Sequence, residues 1–300
     1  MKRKLCAVTL CCVIAGLLAH SPARAQIEAN LESYTGKNAE GYLTPLTEGF
    51  GSALQSGVFR SAAIPKDGFH INVEIKTSFI TFGDDDKTFT AVAPEGFFLV
   101  GDPIAPTVVG STESTPIPGQ GGAMWYPPAG LDIGSLGLAV PQITIGSLAG
   151  TQGIFRYIAF DTGDAEIGSL SLLGLGARHS ISQHFKSIPF DLAGGFLWQK
   201  FQVGDDLIDA SAFSIGVQGS KRYSVLEPYA SLSLDTFKMS VEYDYKPSQG
   251  ETEQLSLDFD QTSDVHFAGG LGINLSVVHI HGEIGISNKT SYALGLSVGN

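Results

Sequence analysis

Cysteine is almost absent, and where it occurs matters. Cys6, Cys11 and Cys12 are the whole complement of the 300-residue chain. All three fall inside residues 1–25, which read as a secretion signal. Lys2, Arg3 and Lys4 give a basic start, Leu5 to Ala19 is mostly apolar, and Ala23-Arg24-Ala25 is a small-x-small cleavage site. The mature chain is expected to begin at Gln26 without any cysteine. Disulfides and thiol chemistry are thereby excluded, and so is a lipid-anchored cysteine at the mature start.

Basic residues are scarce as well. Four of the 18 Lys and Arg lie in the signal, leaving 14 against 30 Asp and Glu, a net charge near −16. Such a chain repels nucleic acid and anionic surfaces, so no nucleic-acid partner is expected. Long apolar runs are missing too. After the signal no segment approaches the roughly 18 apolar residues of a membrane helix. An exported chain of this kind is either a soluble periplasmic protein or a β-barrel of the outer membrane.

What is present favours the barrel. From residue 153 onward the chain is a series of segments about ten residues long separated by turns, the texture of a membrane barrel. Strands are expected near 69–81, 88–98, 153–161, 166–181, 190–203, 207–219, 223–235, 236–246, 252–262, 264–275, 277–288 and 290–299. No helical segment of useful length separates them, so neighbours are antiparallel. A meander of this length needs closure to protect its edges. The alternation is plainest late in the chain. Phe237, Met239, Val241, Tyr243 and Tyr245 share one parity, as do Leu255, Leu257 and Phe259, and again Tyr292, Leu294, Leu296 and Val298.

The expected fold class is therefore all-β: an antiparallel up-and-down outer-membrane β-barrel of about 12 strands, with an N-terminal helical segment and a Pro/Gly-rich plug. Three regions follow the signal 1–25. Residues 26–66 carry Leu43, Leu46, Phe50 and Leu54 at helical spacing, reading equally as a surface cap or a helix inside a barrel. Residues 67–300 form the barrel. Within it, 99–152 holds Pro103, Pro106, Pro116, Pro118, Pro127, Pro128 and Pro141, too many for continuous sheet. That segment reads as a plug or packed loop, with one short strand in "PQITIGSLAG". Its Val108, Val109, Met124, Trp125 and Tyr126 are the candidate lining of a lumen.

If the last strand descends, outward turns fall at 82–87, 162–165, 203–207, 235–236, 261–264 and 287–289. These turns or their flanks carry Asp84, Asp85, Asp86, Asp161, Asp164, Asp205, Asp206, Asp235, Asp260 and Asp264. The opposite turns carry Lys186, Lys221, Arg222 and Lys246, with Glu251 the main exception, so one rim is acidic and the other mildly basic. That count places both ends of the proline-rich segment on the periplasmic side.

Candidate chemistry is thin. In "VHIHGEIGIS", His279, His281 and Glu283 share a parity, with His266 on a neighbouring strand. Histidines two apart on a strand can ligate zinc, but polar filling of a barrel interior explains them as well. Asp84, Asp85 and Asp86 could bind Ca²⁺ or Mg²⁺, against the simpler reading of a solvated hairpin. Collectively, an acidic rim could hold divalent cations shared with lipid phosphates; no other cofactor is expected. Asp161-Thr162-Gly163 lacks a second protease triplet, and its Asp and Gly are ordinary turn residues. Gly295 to Gly299 matches a nucleophile elbow, but Asn300 leaves no following helix. No catalytic constellation survives, and no enzyme is expected.

"YLTPLTEGFGSALQSGVFRSAAIPKDGFHINVEIKTSFI" (Tyr42 to Ile80), "APTVVGSTES" (Ala105 to Ser114) and "VPQITIGSLAGTQGIFRYIAFD" (Val140 to Asp161) resemble an uncharacterised family of envelope proteins, a domain of unknown function found largely in Bacteroidetes-type bacteria. The resemblance runs from about Tyr34 to the C-terminus. That family is distantly similar to outer-membrane fatty-acid and hydrocarbon channels, in which an N-terminal segment plugs a barrel. It departs from them in its short outward loops and in Asn300, where many barrels end on an aromatic. The resemblance implies passive passage or binding of a small hydrophobic compound, with outer-membrane lipid as a partner. The alternatives are a structural or adhesive envelope protein and, for location, the periplasm. The sequence leaves the oligomeric state open.

Overall fold

The computed structural model describes residues 30, 34, 36–161, 168–185, 188–204, 207–245, 253–260 and 264–299. Helix α1 (Lys37–Gln55) precedes strand β1 (His70–Thr81). Four short strands follow: β2 (Thr88–Thr90), β3 (Ile104–Pro106), β4 (Ile117–Pro118) and β5 (Met124–Trp125). The long strands are β6 (Ser135–Leu148), β7 (Thr151–Asp161), β8 (Ser169–Ser180), β9 (Asp191–Val203) and β10 (Ile208–Ser220). They continue as β11 (Leu226–Tyr245), β12 (Glu253–Asp260), β13 (Asp264–Leu275), β14 (Val278–Ile286) and β15 (Thr290–Gly299).

Ten strands close a ring in the order β1-β6-β7-β8-β9-β10-β11-β13-β14-β15, and β15 returns to β1 from Asn72–Gly299 to Ile80–Ser291. Every neighbour is antiparallel, and the closure of β15 onto β1 pairs the two edges that an open meander would expose. The expected fold class holds, but the wall has ten strands rather than twelve. Four differences account for this. Residues 88–98 contribute only β2, which pairs with β3 outside the wall. Residues 135–148 form a full wall strand, β6, instead of a plug. The segments 223–235 and 236–246 are one strand, β11, with no turn at Asp235-Thr236. Likewise β12 prolongs the line of β13: Lys238 pairs with Asp260 and Asp235 with Asp264, a one-residue slip across the same face of β11. Residues 261–263 lie outside the described residues.

The strand ends define two rims. At the lower rim β1 begins and β15 ends. The connections there are Ala149-Gly150, residues 181–190, 221–225 and 276–277. Ala149 and Gly150 both have positive φ, 49° and 74°, the two-residue turn whose twist matches its strands. The upper rim carries the long β1–β6 connection, residues 82–134. The proline-rich stretch 99–152 therefore starts at the upper rim and ends at the lower one, just past the Ala149-Gly150 turn, rather than starting and ending on one side.

The wall changes character along its height. On β11 the outward residues near the lower rim are apolar: Leu226, Leu232 and Leu234 are each about half exposed, whereas inward Glu227, Ser231, Ser233 and Asp235 are buried. Past Asp235 the pattern inverts. Lys238, Ser240 and Glu242 now face out, and Phe237, Met239, Val241 and Tyr243 are buried inside. The same switch recurs on the neighbouring strands β10 and β9. On β10, Phe213, Ile215 and Val217 face out below, with Asp209 and Ser211 above, while inward Gln218 and Ser220 give way to Ala210 and Ala212. On β9, outward Phe196 and Trp198 give way to Lys200 and Gln202. Thus the lower storey has an oily exterior and a polar interior, and the upper storey is built like a soluble protein. The apolar parities of 237–243 and 255–259 belong to the upper core and point inward, unlike Tyr292, Leu294, Leu296 and Val298, which are exposed on the outer face.

Candidate functional site: the occupied lumen

The N-terminal segment fills the bore. The apolar spacing of α1 sends Leu43 and Leu54 into the upper core, with Leu46 and Phe50 packed against it; Ile80, Leu138, Leu172, Phe201, Phe237 and Met239 supply the wall side. Phe50 meets the Phe201 ring at 4.6 Å. Two glycines let the helix approach closely. A Cβ on Gly49 would lie 2.8 Å from the Phe82 ring, and one on Gly51 would lie 2.8 Å from Phe237. The helix is thus seated by shape as well as by apolar burial.

Over its mouth lies the 82–134 connection. Val108 N–H donates to the Tyr42 carbonyl at 2.9 Å, and the Tyr42 hydroxyl donates to the Ala129 carbonyl at 3.0 Å. Burial raises the Tyr42 phenol to about 12, so it stays a neutral donor. Lys289, between β14 and β15, ties this cover to the helix: its ammonium meets Glu48 at 3.0 Å and Asp86 more closely still. Burial opposes the Lys289 charge, but the hydrogen bonds it donates to Asp86 and Glu48 outweigh it and raise its pKa.

Below α1 the chain runs on through the polar storey. Gly57 N–H donates to Glu283 Oε1 at 2.9 Å. Arg60 pairs with Glu74 at 3.5 Å, and Ser61 donates to Glu227. Ala62 N–H donates to the Ser220 hydroxyl at 2.9 Å. The wall also reaches for plug carbonyls. Arg156 and Gln199 donate to the Leu54 carbonyl at 3.2 and 2.9 Å, while Arg178 and Gln218 donate to that of Ser61 at 3.3 and 2.8 Å. These contacts come from β1, β7, β8, β9, β10, β11 and β14, which surround the segment. Arg156 is completed by Gln142 at 2.9 Å and a second bond to Gln199 at 2.8 Å. Glu227 also accepts from Ser220, Arg222 and Asn274 at 2.8, 3.1 and 2.9 Å. Carboxylates Glu74, Glu227, Asp235 and Glu283 thus stand against cations Arg60, Lys76, Arg156 and Arg178, a charge balance that makes the burial tolerable.

The three residues of the His-x-His-x-Glu stretch do face inward, but they serve different partners. His279 bonds Asn274 at 2.8 Å, His281 lies 3.4 Å from Glu74, and Glu283 holds Gly57. His266 faces inward and meets Asp235 at 2.9 Å. Asp235 is therefore a buried wall residue, not part of an outward turn. Among the described residues no three metal-ligating side chains converge. Asp84, Asp85 and Asp86 form a single helical turn in which Asp86 accepts from Gly83 and Lys289, while Asp84 lies 3.7 Å from exposed Lys87. Asp164, Asp205, Asp206, Lys186 and Lys246 lie outside the described residues.

Of the proline-rich candidates, Val108 and Val109 join the upper core around α1, and Met124, Trp125 and Tyr126 lie in the cover. Val108 and Val109 are fully buried beneath the cover, Trp125 packs on Phe97 and the small core of Ala91, Ala105 and Ile117, and Met124 and Tyr126 are exposed. What the pattern reading passed over are the lone charges on inward parity: Glu74 and Lys76 in "INVEIKTSF", Arg156 in "GIFRYIAF" and Arg178 in "LGLGARHS". A charge set singly among apolar residues on the inner face of a strand was the available signal.

One stretch of wall is incomplete. The β6–β7 ladder begins at Gln142–Arg156 and runs towards the lower rim. Above it, β6 still pairs with β1 through Ser135–Thr81, and β7 with β8 through Asp161–Ser169, but the two share no ladder. This seam is flanked on the inside by Leu138, Val140, Ile158 and Phe160, all at the edge of the upper core. Pro141, which has no N–H to donate, sits at the point where the ladder stops.

The model of a family of unknown function (DUF6588) matches residues 1–300. No curated protein matches the chain. Among solved structures it is similar to the β domain of the Bordetella autotransporter Brka, at 10% identity and a TM-score of 0.30 over 78% of this chain and 99% of that one. It is also similar to the CymD monoaromatic hydrocarbon channel, at 9% identity and a TM-score of 0.22 over 89% and 92%. A FadL homologue of Pseudomonas aeruginosa matches at 11% identity and a TM-score of 0.16 over 79% and 91%. These likenesses are loose, and the closed wall stands on its strand pairing alone.

Proposed function

We propose, for a chain that belongs to the DUF6588 family of unknown function, that it is an outer-membrane barrel closed along its axis and open to small hydrophobic compounds through its side. Two features support the membrane setting. Apolar side chains cover the outside of the lower storey, and β1 begins and β15 ends at the lower rim, the rim which in such barrels faces the periplasm. The observation that carries the functional reading is the β6–β7 seam. It adjoins the apolar compartment around α1, and its unladdered backbone is where an oily solute, rather than an ion, would enter. The polar lower bore is occupied by residues 56–67, which opposes passive ion flow.

In planar bilayers the native protein should show no steady ion conductance, while in detergent it should bind a small hydrophobic fluorescent dye. Ile158→Glu places a carboxylate at the seam. Its desolvation should weaken dye binding about tenfold or more, with heat-modifiable gel mobility retained. Dye binding equal to native in a folded Ile158→Glu protein would remove the lateral route. Steady conductance in the native protein would contradict the axial closure.

A further inference from the structure

The chain passes lengthwise through its own wall, from rim to rim, and the direction of that passage has a consequence for where the N-terminus lies. At the upper rim Asn30 donates to the Ala129 carbonyl at 2.7 Å and to the Tyr42 hydroxyl at 2.8 Å. The Tyr34 carbonyl accepts from Tyr243 at 3.2 Å, and Asn38 exchanges hydrogen bonds with the backbone of Val92. From there α1 descends, Arg60 and Ser61 cross the polar storey, and the Lys66 and Gly68 carbonyls accept from Gly150 and Ser147 at the lower rim. Only then does β1 begin. The C-terminal strand ends at that same lower rim, beside Asn72.

The route back is closed. The wall is sealed at β1–β15, and the bore is filled by the segment itself. If the expected cleavage after Ala25 occurs, residues 26–29 precede Asn30. Fully extended, four residues reach about 14 Å, short of the about 25 Å apolar band of a membrane barrel.

We propose that this barrel carries its own N-terminal segment outward and displays the mature N-terminus on the cell surface. This is an activity distinct from solute passage, and it rests on the barrel orientation stated above. The segment suits transit. Between Gly49 and Pro65 it holds a single charge, Arg60, and that charge is met inside by Glu74.

The test uses the full chain in cells, with a short epitope inserted directly after Gln26. Two reporters exploit the cysteine-free mature chain: Asp85→Cys on the upper rim and Lys221→Cys on the lower, both exposed positions. On intact cells the antibody signal should equal that after permeabilisation. A membrane-impermeant maleimide should label Asp85→Cys, and should label Lys221→Cys only once the outer membrane is opened. An epitope protected on intact cells while Asp85→Cys reacts would overturn the display and leave the orientation standing. Labelling of Lys221→Cys with Asp85→Cys protected, or protection of both, would overturn the orientation and the display with it.

Discussion

Leu232→Arg should abolish or severely impair assembly, whereas Ser240→Arg on the same strand should be silent. Both residues face outward from β11, eight positions apart. Leu232 is about half exposed among Leu226, Leu234, Val265 and Phe267, all apolar and all outward. Ser240 stands opposite Asp209 and Asp258, near the ion pair of Lys200 with Asp209 at 3.0 Å. If the lower storey is in lipid, an arginine there costs about 2–4 kcal/mol near the midplane. The same arginine beside two carboxylates in water costs nothing measurable. The check is the heat-modifiable gel shift of membrane-extracted protein, with the denaturation midpoint read for each variant. Equal behaviour of the two variants would mean that the exterior is one environment throughout. The inner face offers the mirror image: Met239 sits in the apolar core while Ser231 sits in the polar storey, though both point inward.

Glu74→Ala should have the second large effect. Glu74 is fully buried and receives Arg60 of the plug, Gln142 of β6 at 3.3 Å and His281 of β14 at 3.4 Å. Removing it leaves the part-buried Arg60 guanidinium without its carboxylate inside the wall. Losing one partner of a buried pair costs about 3–5 kcal/mol. The denaturation midpoint should fall, and residues 56–67 should become sensitive to protease in the detergent-solubilised protein. Arg60→Met combined with Glu74→Ala should recover part of the loss, because the stranded charge is gone. A Glu74→Ala protein as stable and protease-resistant as native would show that the pair does not hold the segment in place.

The wall was legible in the sequence because a two-residue period survives wherever one face meets oil and the other water. Its strand count was not, and the reason is physical. In "LEPYASLSLDTFKMSVEYDY" the apolar parity moves from even to odd at Asp235-Thr236, and a hairpin is the ordinary reading of such a switch. Here the strand runs straight through while its surroundings exchange: outside goes from apolar to polar as inside goes from polar to apolar. The one-residue slip between β12 and β13 produces the same illusion at 261–263. Strand β6 was hidden by Pro141 and by the prolines before it. Pro141 is tolerated because the ladder to β7 starts one residue later. The helical spacing of Leu43, Leu46, Phe50 and Leu54 was visible, but nothing in α1 alone says whether its apolar stripe covers a barrel or enters one. That is decided by the receiving groups, Glu74, Glu227 and Glu283 among them, which lie on three different strands.

The change of environment along β11 is the claim on which the rest depends, and single cysteines read it directly. Spin labels at the outward positions Pro228, Ala230, Leu232, Leu234, Thr236, Lys238, Ser240 and Glu242, in lipid vesicles, report collision with oxygen or with a water-soluble nickel chelate. Oxygen should dominate from Pro228 to Leu234 and the chelate from Lys238 to Glu242, with the crossover at Thr236. Chelate access along the whole strand, or oxygen dominance through to Glu242, would contradict the two-storey wall.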